Sequence, residues 1–350
     1  MRRLLSVVLV LSSLSGCWSG DYLWQQGRGQ LDLLRARRRI ADVLVDPTVD
    51  ETTRGKLRLA LEAREYGVRV LGLRGGDAYT RYLDTHGAPV AWNLSAAPKD
   101  RLVPWTNRFP IVGTVPYLGY FREADARREE ARLAALGLDT YVREVAGYST
   151  LGITADPVYS SMIEGSDAAV VEVVLHEMTH GTIYVAGQSD WNESLATLVG
   201  LRGAARFFEA RGAGQGLLTE TRELFAQARR RQERSEEFSR FLAPVLVELE
   251  ALYASPISRD EKLSRRAAVF ARAQADYRVR FPPPPGKPPG GFVDGQLNNA
   301  RLVAWAVYHR DAPEHERLLA RLGGDLTAFV RLYKHAVENH AEPVAWLRGL

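Results

Sequence analysis

The 350-residue sequence predicts an α+β fold, predominantly helical, on three observations. Stretches rich in Arg, Glu, Leu and Ala towards both ends carry the apolar spacing of helices. Residues 88–152 have another texture, with apolar residues alternating or set among Pro and Gly, as short strands require. Between these regions, Ala168 to Val185 is a strongly apolar run that begins after Ser166-Asp167 and stops at Gly187, the punctuation of a helix. With 46% hydrophobic and 25% charged residues, the chain has an ordinary globular composition and the length to build a sizeable core. No internal repeat or sharp linker divides it, so one domain is expected over residues 17–350.

At the N-terminus, Arg2 and Arg3 precede apolar Leu4 to Leu14, a segment too short to span a bilayer but suited to a secretory signal. The ending Leu14-Ser15-Gly16-Cys17 resembles a bacterial lipobox. The resemblance implies a signal peptide over residues 1–16, a lipid on Cys17, and attachment to a membrane of the cell envelope. Cys17 is the single cysteine, so no internal disulfide can form. The net charge is +4; without Arg2 and Arg3 it is +2, which gives no reason to expect a nucleic-acid partner.

A helix is expected from about Tyr22 to Ala41. Its Arg35, Arg37, Arg38 and Arg39 form either a solvated face or one resting on anionic lipid. A second helix should run from Glu51 to Leu71. Within residues 88–152, Val90, Trp92 and Leu94, then Phe109, Ile111 and Val112, then Thr140, Tyr141, Val142 and Val145 read as strands. A helix from about Glu123 to Leu136 interrupts them. Beyond the helices of residues 166–212, Leu217 to Ala254 and Asp260 to Tyr277 read as an antiparallel hairpin within residues 217–280. The prolines from Pro282 to Pro289 cannot be helical, and a last helical pair fills residues 297–350.

His176-Glu177-Met178-Thr179-His180 lies inside the apolar helix. Residues four apart share one helical face, so both imidazoles can hold one Zn²⁺ per chain at ~2.0–2.1 Å. Glu177 is then placed to act as general base towards a metal-activated water, the helical HExxH arrangement of zinc peptidases. A third ligand is needed. Ala186 and Ile183 stand where a metzincin would have His and Gly, which excludes that family. Asn192-Glu193-Ser194-Leu195-Ala196 looks instead like the NExxA start of the second metal helix in the gluzincin clan, implying Glu193 as ligand, with Asp190 as rival. Only twelve residues separate His180 from Glu193, a shorter insert than in the thermolysin branch of that clan. Glu172 and Thr197, a turn away, are candidates to support the ligands.

Further segments resemble a bacterial family of predicted aminopeptidases, many of them lipoproteins. They are GQLDLL from Gly29, FPIVGTVPYLGYF over Phe109 to Phe121, YSTLGI from Tyr148, DPVYSSM from Asp156, HEMTH, DWNESLAT from Asp190, and QLNNARLVAWAVY over Gln296 to Tyr308. The resemblance implies a zincin-like metallopeptidase acting on peptide substrates, with a small β-rich part before the HExxH helix and a long helical hairpin after it. A second donor should serve the developing oxyanion. Tyr308 and His309 are the candidates, against the plainer reading of a packed tyrosine and a surface histidine. Tyr148, Ser149 and Thr150 form either a substrate-binding edge strand or a structural turn. Asn298, Asn299 and Arg301 either bind substrate termini or cap a helix. His86, His315, His335 and His340 lack ligand spacing. No GAMEN-type segment is present, so the aminopeptidase expectation rests on the resemblance. A zinc endopeptidase with the same centre, or a non-catalytic lipid-anchored peptide-binding or scaffold protein, are the alternatives.

Overall fold

A computed structural model describes residues 27–29, 31, 33–109, 113–145, 155–215, 219–283, 291–293 and 295–350. Cys17, Tyr148, Ser149, Thr150 and most of the proline-rich connection lie outside the described residues. The expected small sheet is formed by β3 (Ala91–Pro98), β6 (Tyr117–Tyr120) and β7 (Leu138–Val145), antiparallel and in the order β6-β3-β7. Preceding β6 is a hairpin of β4 (Asn107–Phe109) and β5 (Gly113–Val115), and between β6 and β7 runs α3 (Glu123–Ala135). Alternation decides which side of the sheet each residue faces. Leu94, Ala96, Leu118 and Tyr120 pack with Ala126 and Leu133 of α3. The opposite face carries Ser95, Tyr117, Tyr141 and Arg143, and is covered by α9 (Asn299–His309).

Two sequence expectations need correction at the ends. The expected helix from Tyr22 to Ala41 does not continue to Ala41, because Arg38–Arg39 form β1, paired antiparallel with β2 (Arg81–Leu83). β2 in turn pairs in parallel with β8 (Val158–Tyr159), and the pairing delivers Ile40 and Val43 of α1 (Ile40–Leu44) to the core, almost without solvent contact. These strands are two or three residues long, too short to leave a period in the sequence. The C-terminal region is four helices rather than a pair: α9, α10 (Ala312–Arg321), α11 (Leu326–Asn339) and α12 (Pro343–Arg348). Gly323 and Gly324 at φ 65° and 79° make the corner between α10 and α11, and Pro343 opens α12.

The second predicted helix is α2 (Glu51–Arg69), capped by the Asp50 side chain, which accepts from Thr53 N. A single helical turn, α4 (Ser160–Ile163), leads to α5 (Asp167–Thr182), and then come α6 (Ser189–Gln215), α7 (Thr219–Ala254) and α8 (Arg259–Arg280). Ion pairs Arg272–Glu248 and Arg280–Glu237 fix α7 and α8 as the antiparallel hairpin that was expected. Around α5 the core is continuous: Val170, Val171, Val174, Leu175 and Met178 are almost wholly buried against α2 and α6. Side chains of this size stabilise by roughly 1.5–3 kcal/mol each when buried, so α5 is held on most of its surface. Glycines set how near its neighbours come. A Cβ on Gly200 would lie 2.8 Å from the Glu172 carbonyl and 3.2 Å from His176 Cβ, and one on Gly203 would lie 2.7 Å from Leu175 Cδ1.

Candidate metal centre

α5 is capped by Ser166, whose hydroxyl accepts from Ala169 N, and ends at Thr182, where Ile183 turns extended, three residues short of the expected last residue Val185. The chain then reverses within a few residues, helped by Gly187 at φ 77°. Asn192, in the first turn of α6, clamps this reversal from inside: its side chain accepts from Val185 N at 2.9 Å and donates to Val185 O at 2.8 Å. Trp191 beside it is buried, with His315 donating from Nε2 to its carbonyl. The tight turn brings Glu193 back opposite the two histidines despite the short insert.

His176 Nε2 and His180 Nε2 stand 3.1 Å apart, and Glu193 Oε2 lies 3.4 Å from each. Four ligand atoms placed ~2.0–2.1 Å from one ion at tetrahedral angles would be separated by ~3.3–3.4 Å. Two imidazole nitrogens and a carboxylate oxygen are also the donors that zinc takes. The residues therefore fit a single divalent ion with a fourth position left to solvent or substrate. Among the described residues, the buried Nδ1 of His180 has no hydrogen-bond partner, so the usual outer support of that ring is missing.

Electrostatics tie the three groups together. Burial pushes the Glu193 carboxyl up, but the neighbouring His180 and His176 outweigh it and hold the group well below the usual carboxylate range. For His180 burial acts downward and Glu193 prevails, leaving the imidazole above its ordinary value. Glu177 is shifted up, chiefly by burial; His176 and His180 offset part of this, while Glu193 and Asp156 add to it. A carboxylate raised in this way holds a proton better than a free one, as a proton carrier must.

Tyr308, near the end of α9, reaches the same centre. Its hydroxyl accepts a 2.7 Å hydrogen bond from Arg143 Nη2 on β7, and the guanidinium lies 5.4 Å from its ring centroid. Burial carries the phenol up to about 12, against the lowering effect of Arg143, and both Glu193 and Glu177 contribute. Arg143 is pushed down by burial but held above the ordinary arginine range by Tyr308 and Glu193. Tyr117 on β6 is raised well above its usual value by burial and by Glu193. Sequence reasoning did not single out Arg143 or Tyr117. The available signal was the alternation of β6 and β7, which puts both on the face under α9.

Other expected residues lie elsewhere. His309 turns from the centre: Ser239 Oγ lies 2.7 Å from its Nδ1, its ring packs on Phe238, and burial lowers it to about 4. Asp190 is outside the cluster of ligand atoms and faces Arg310 at 3.9 Å. Glu172 does not back the histidines, because its carboxylate pairs with Arg231 of α7 at 2.5 Å. Thr197 lines a cavity of about 340 Å³ between α6, α7, α9 and α10, whose wall Tyr308 and His309 share. Asn298 caps α9 by accepting from Arg301 N, and Asn299 donates to Pro98 O and accepts from Tyr253, so the pair fastens α9 to the sheet. Arg301 stacks on Tyr141 and Trp305.

A family model described as "Putative aminopeptidase" matches residues 21–343. The chain belongs to this family. No curated protein and no solved structure shows a significant match. The aminopeptidase family match covers the sheet, the helices α5 and α6, the hairpin and α9, so every residue of the centre falls within it.

Proposed function

We propose that this member of the aminopeptidase family is a zinc-dependent peptidase that hydrolyses the bond next to a peptide's N-terminal residue. The observation that carries the reading is the set of 3.1, 3.4 and 3.4 Å separations among His176, His180 and Glu193, with Glu177 beside them. His176, His180 and Glu193 would hold the ion. A bound Zn²⁺ would supply Lewis acidity, lowering the pKa of water towards ~7 and polarising the scissile carbonyl.

The chain's own groups perform the rest. Glu177 takes the proton of the attacking water on a carboxylate oxygen and returns it to the leaving amine. Tyr308 accepts from Arg143 through its oxygen, so its own proton stays free to be donated to the carbonyl oxygen as charge develops there. The rise of the phenol to about 12 keeps that proton in place at neutral pH. Attachment to a membrane through a lipid on Cys17 belongs to the same proposal and rests on the lipobox resemblance.

The experiment is Glu177→Gln, assayed for metal content and for hydrolysis of free peptides. Bound zinc should stay at the wild-type level while turnover falls by at least ~10²-fold. Undiminished turnover would remove Glu177 from the mechanism.

A further inference from the structure

Arg143 carries its charge in a place where no carboxylate among the described residues pairs with it. It projects from β7, opposite Asn93 of β3, onto the sheet face under α9. Other part-buried arginines meet a carboxylate or a carbonyl. Arg266 is paired with Asp139, Arg202 with Glu316, and Arg64 donates to the carbonyls of Ala78 and Gly76. Among the described residues, no carboxylate lies within ion-pair distance of Arg143, and the Tyr308 hydroxyl is its one hydrogen-bond partner. Segments 110–112 and 146–154, which adjoin β5 and β7, contain no Asp or Glu. Glu193 is the acid whose field reaches it, yet Oε2 of Glu193 stands between the two histidines.

A guanidinium has five N–H donors in a planar fork suited to a carboxylate. One is used by Tyr308. Arg143 is part-buried, and withdrawing even part of such a cation from water without an anionic partner is costly, so an anion brought by a ligand would be held there. Tyr308 links the guanidinium to the reacting centre, which limits how far from the cleaved bond that anion can be. One residue beyond the scissile carbonyl carbon, a chain-terminal carboxylate sits roughly 4 Å away, across one C–N, one N–Cα and one Cα–C bond.

We propose that Arg143 binds the C-terminal carboxylate of the substrate, making dipeptides the preferred substrate class. The inference rests on the peptidase reading above and deepens it. In a dipeptide the bond next to the N-terminal residue is also the bond next to the free carboxylate, so amino-end cleavage and carboxylate recognition coincide. Arg143 forms no covalent bond in this role.

The test compares kcat/KM for alanyl-alanine and alanyl-alaninamide, which differ in the terminal charge. The purified protein should favour the acid by roughly 10- to 100-fold, the worth of a hydrogen bond to a charged group. Arg143→Gln should bring the ratio near one, and Arg143→Lys should keep part of it. Tyr308→Phe should slow both substrates and leave the ratio in place. A ratio near one in the unaltered protein, or an unchanged ratio in Arg143→Gln, would overturn the proposal. Titration calorimetry of the same proteins with N-acetylalanine and N-acetylalaninamide provides a readout that needs no turnover. If neither peptide is cleaved while the acid still binds more tightly through Arg143, the peptidase reading fails and the carboxylate site stands. If peptides are cleaved without acid preference, the carboxylate site fails alone.

Discussion

Burial and attraction pull in opposite directions at Glu193, and attraction to His180 and His176 wins. The same contest at His315 has the other outcome. It is buried without a carboxylate beside it, and burial lowers it to about 3. Its Nε2 must carry the proton, because it faces the Trp191 carbonyl at 3.2 Å, and its Nδ1 accepts from the Tyr333 hydroxyl at 2.6 Å. His309 likewise drops to about 4. Both histidines bind protons less readily folded than unfolded, so their contribution is intact above the unfolded pKa of ~6.5 and declines as pH falls towards the folded values. Melting temperature should therefore fall between about pH 6.5 and pH 4, and His315→Gln should flatten that limb. An acid limb unchanged by the substitution would remove His315 as its source. Residues of the centre were legible where their relation is local: His176, Glu177 and His180 through helical spacing, Glu193 through the segment after the turn. Arg143 was not, because its neighbour Tyr308 is 165 positions away and only the sheet register and α9 bring them together. Glu172 misled for a related reason. Spacing puts it one turn before His176, but Arg231 of α7 claims its carboxylate.

The functional unit at the level of elements is the pair α5 and α6. Gly200 lets them approach, since a Cβ there would strike the Glu172 carbonyl at 2.8 Å and press on His176 Cβ at 3.2 Å. Gly200→Val should part the helices near the first histidine and weaken zinc binding at least tenfold, measured by competition with a chelator. Affinity equal to wild type would mean that the packing is not what sets the ligand geometry. Asn192 secures the other end of the pair through its two bonds to Val185. Asn192→Ala should cost about 1–3 kcal/mol, read as a shift in denaturant midpoint, because it leaves backbone groups of the turn unpaired. The long elements α2, α3, α5 and the α7–α8 hairpin were readable from sequence because each repeats its pattern over many residues. β1, β2 and β8 were not, since their pairing is decided by distant partners.

In the whole molecule, the sheet with α9 supplies Tyr117, Arg143 and Tyr308 on one side of the centre, and the helices α5 and α6 supply His176, Glu177, His180 and Glu193 on the other. Among the described residues no helix is long and apolar enough to cross a membrane. Attachment through a lipid on Cys17 would need none. Cys17→Ser should move the expressed protein from the detergent phase to the aqueous phase in a cloud-point partition; detergent partitioning that survives the substitution would contradict the lipid. The central claim is that His176, His180 and Glu193 converge on one metal ion, and elemental analysis of the purified protein tests it most directly. About one zinc per chain should survive dialysis, falling towards none in His180→Ala. A wild-type protein that retains no zinc when zinc is supplied, or a His180→Ala protein that retains as much as wild type, would contradict that convergence.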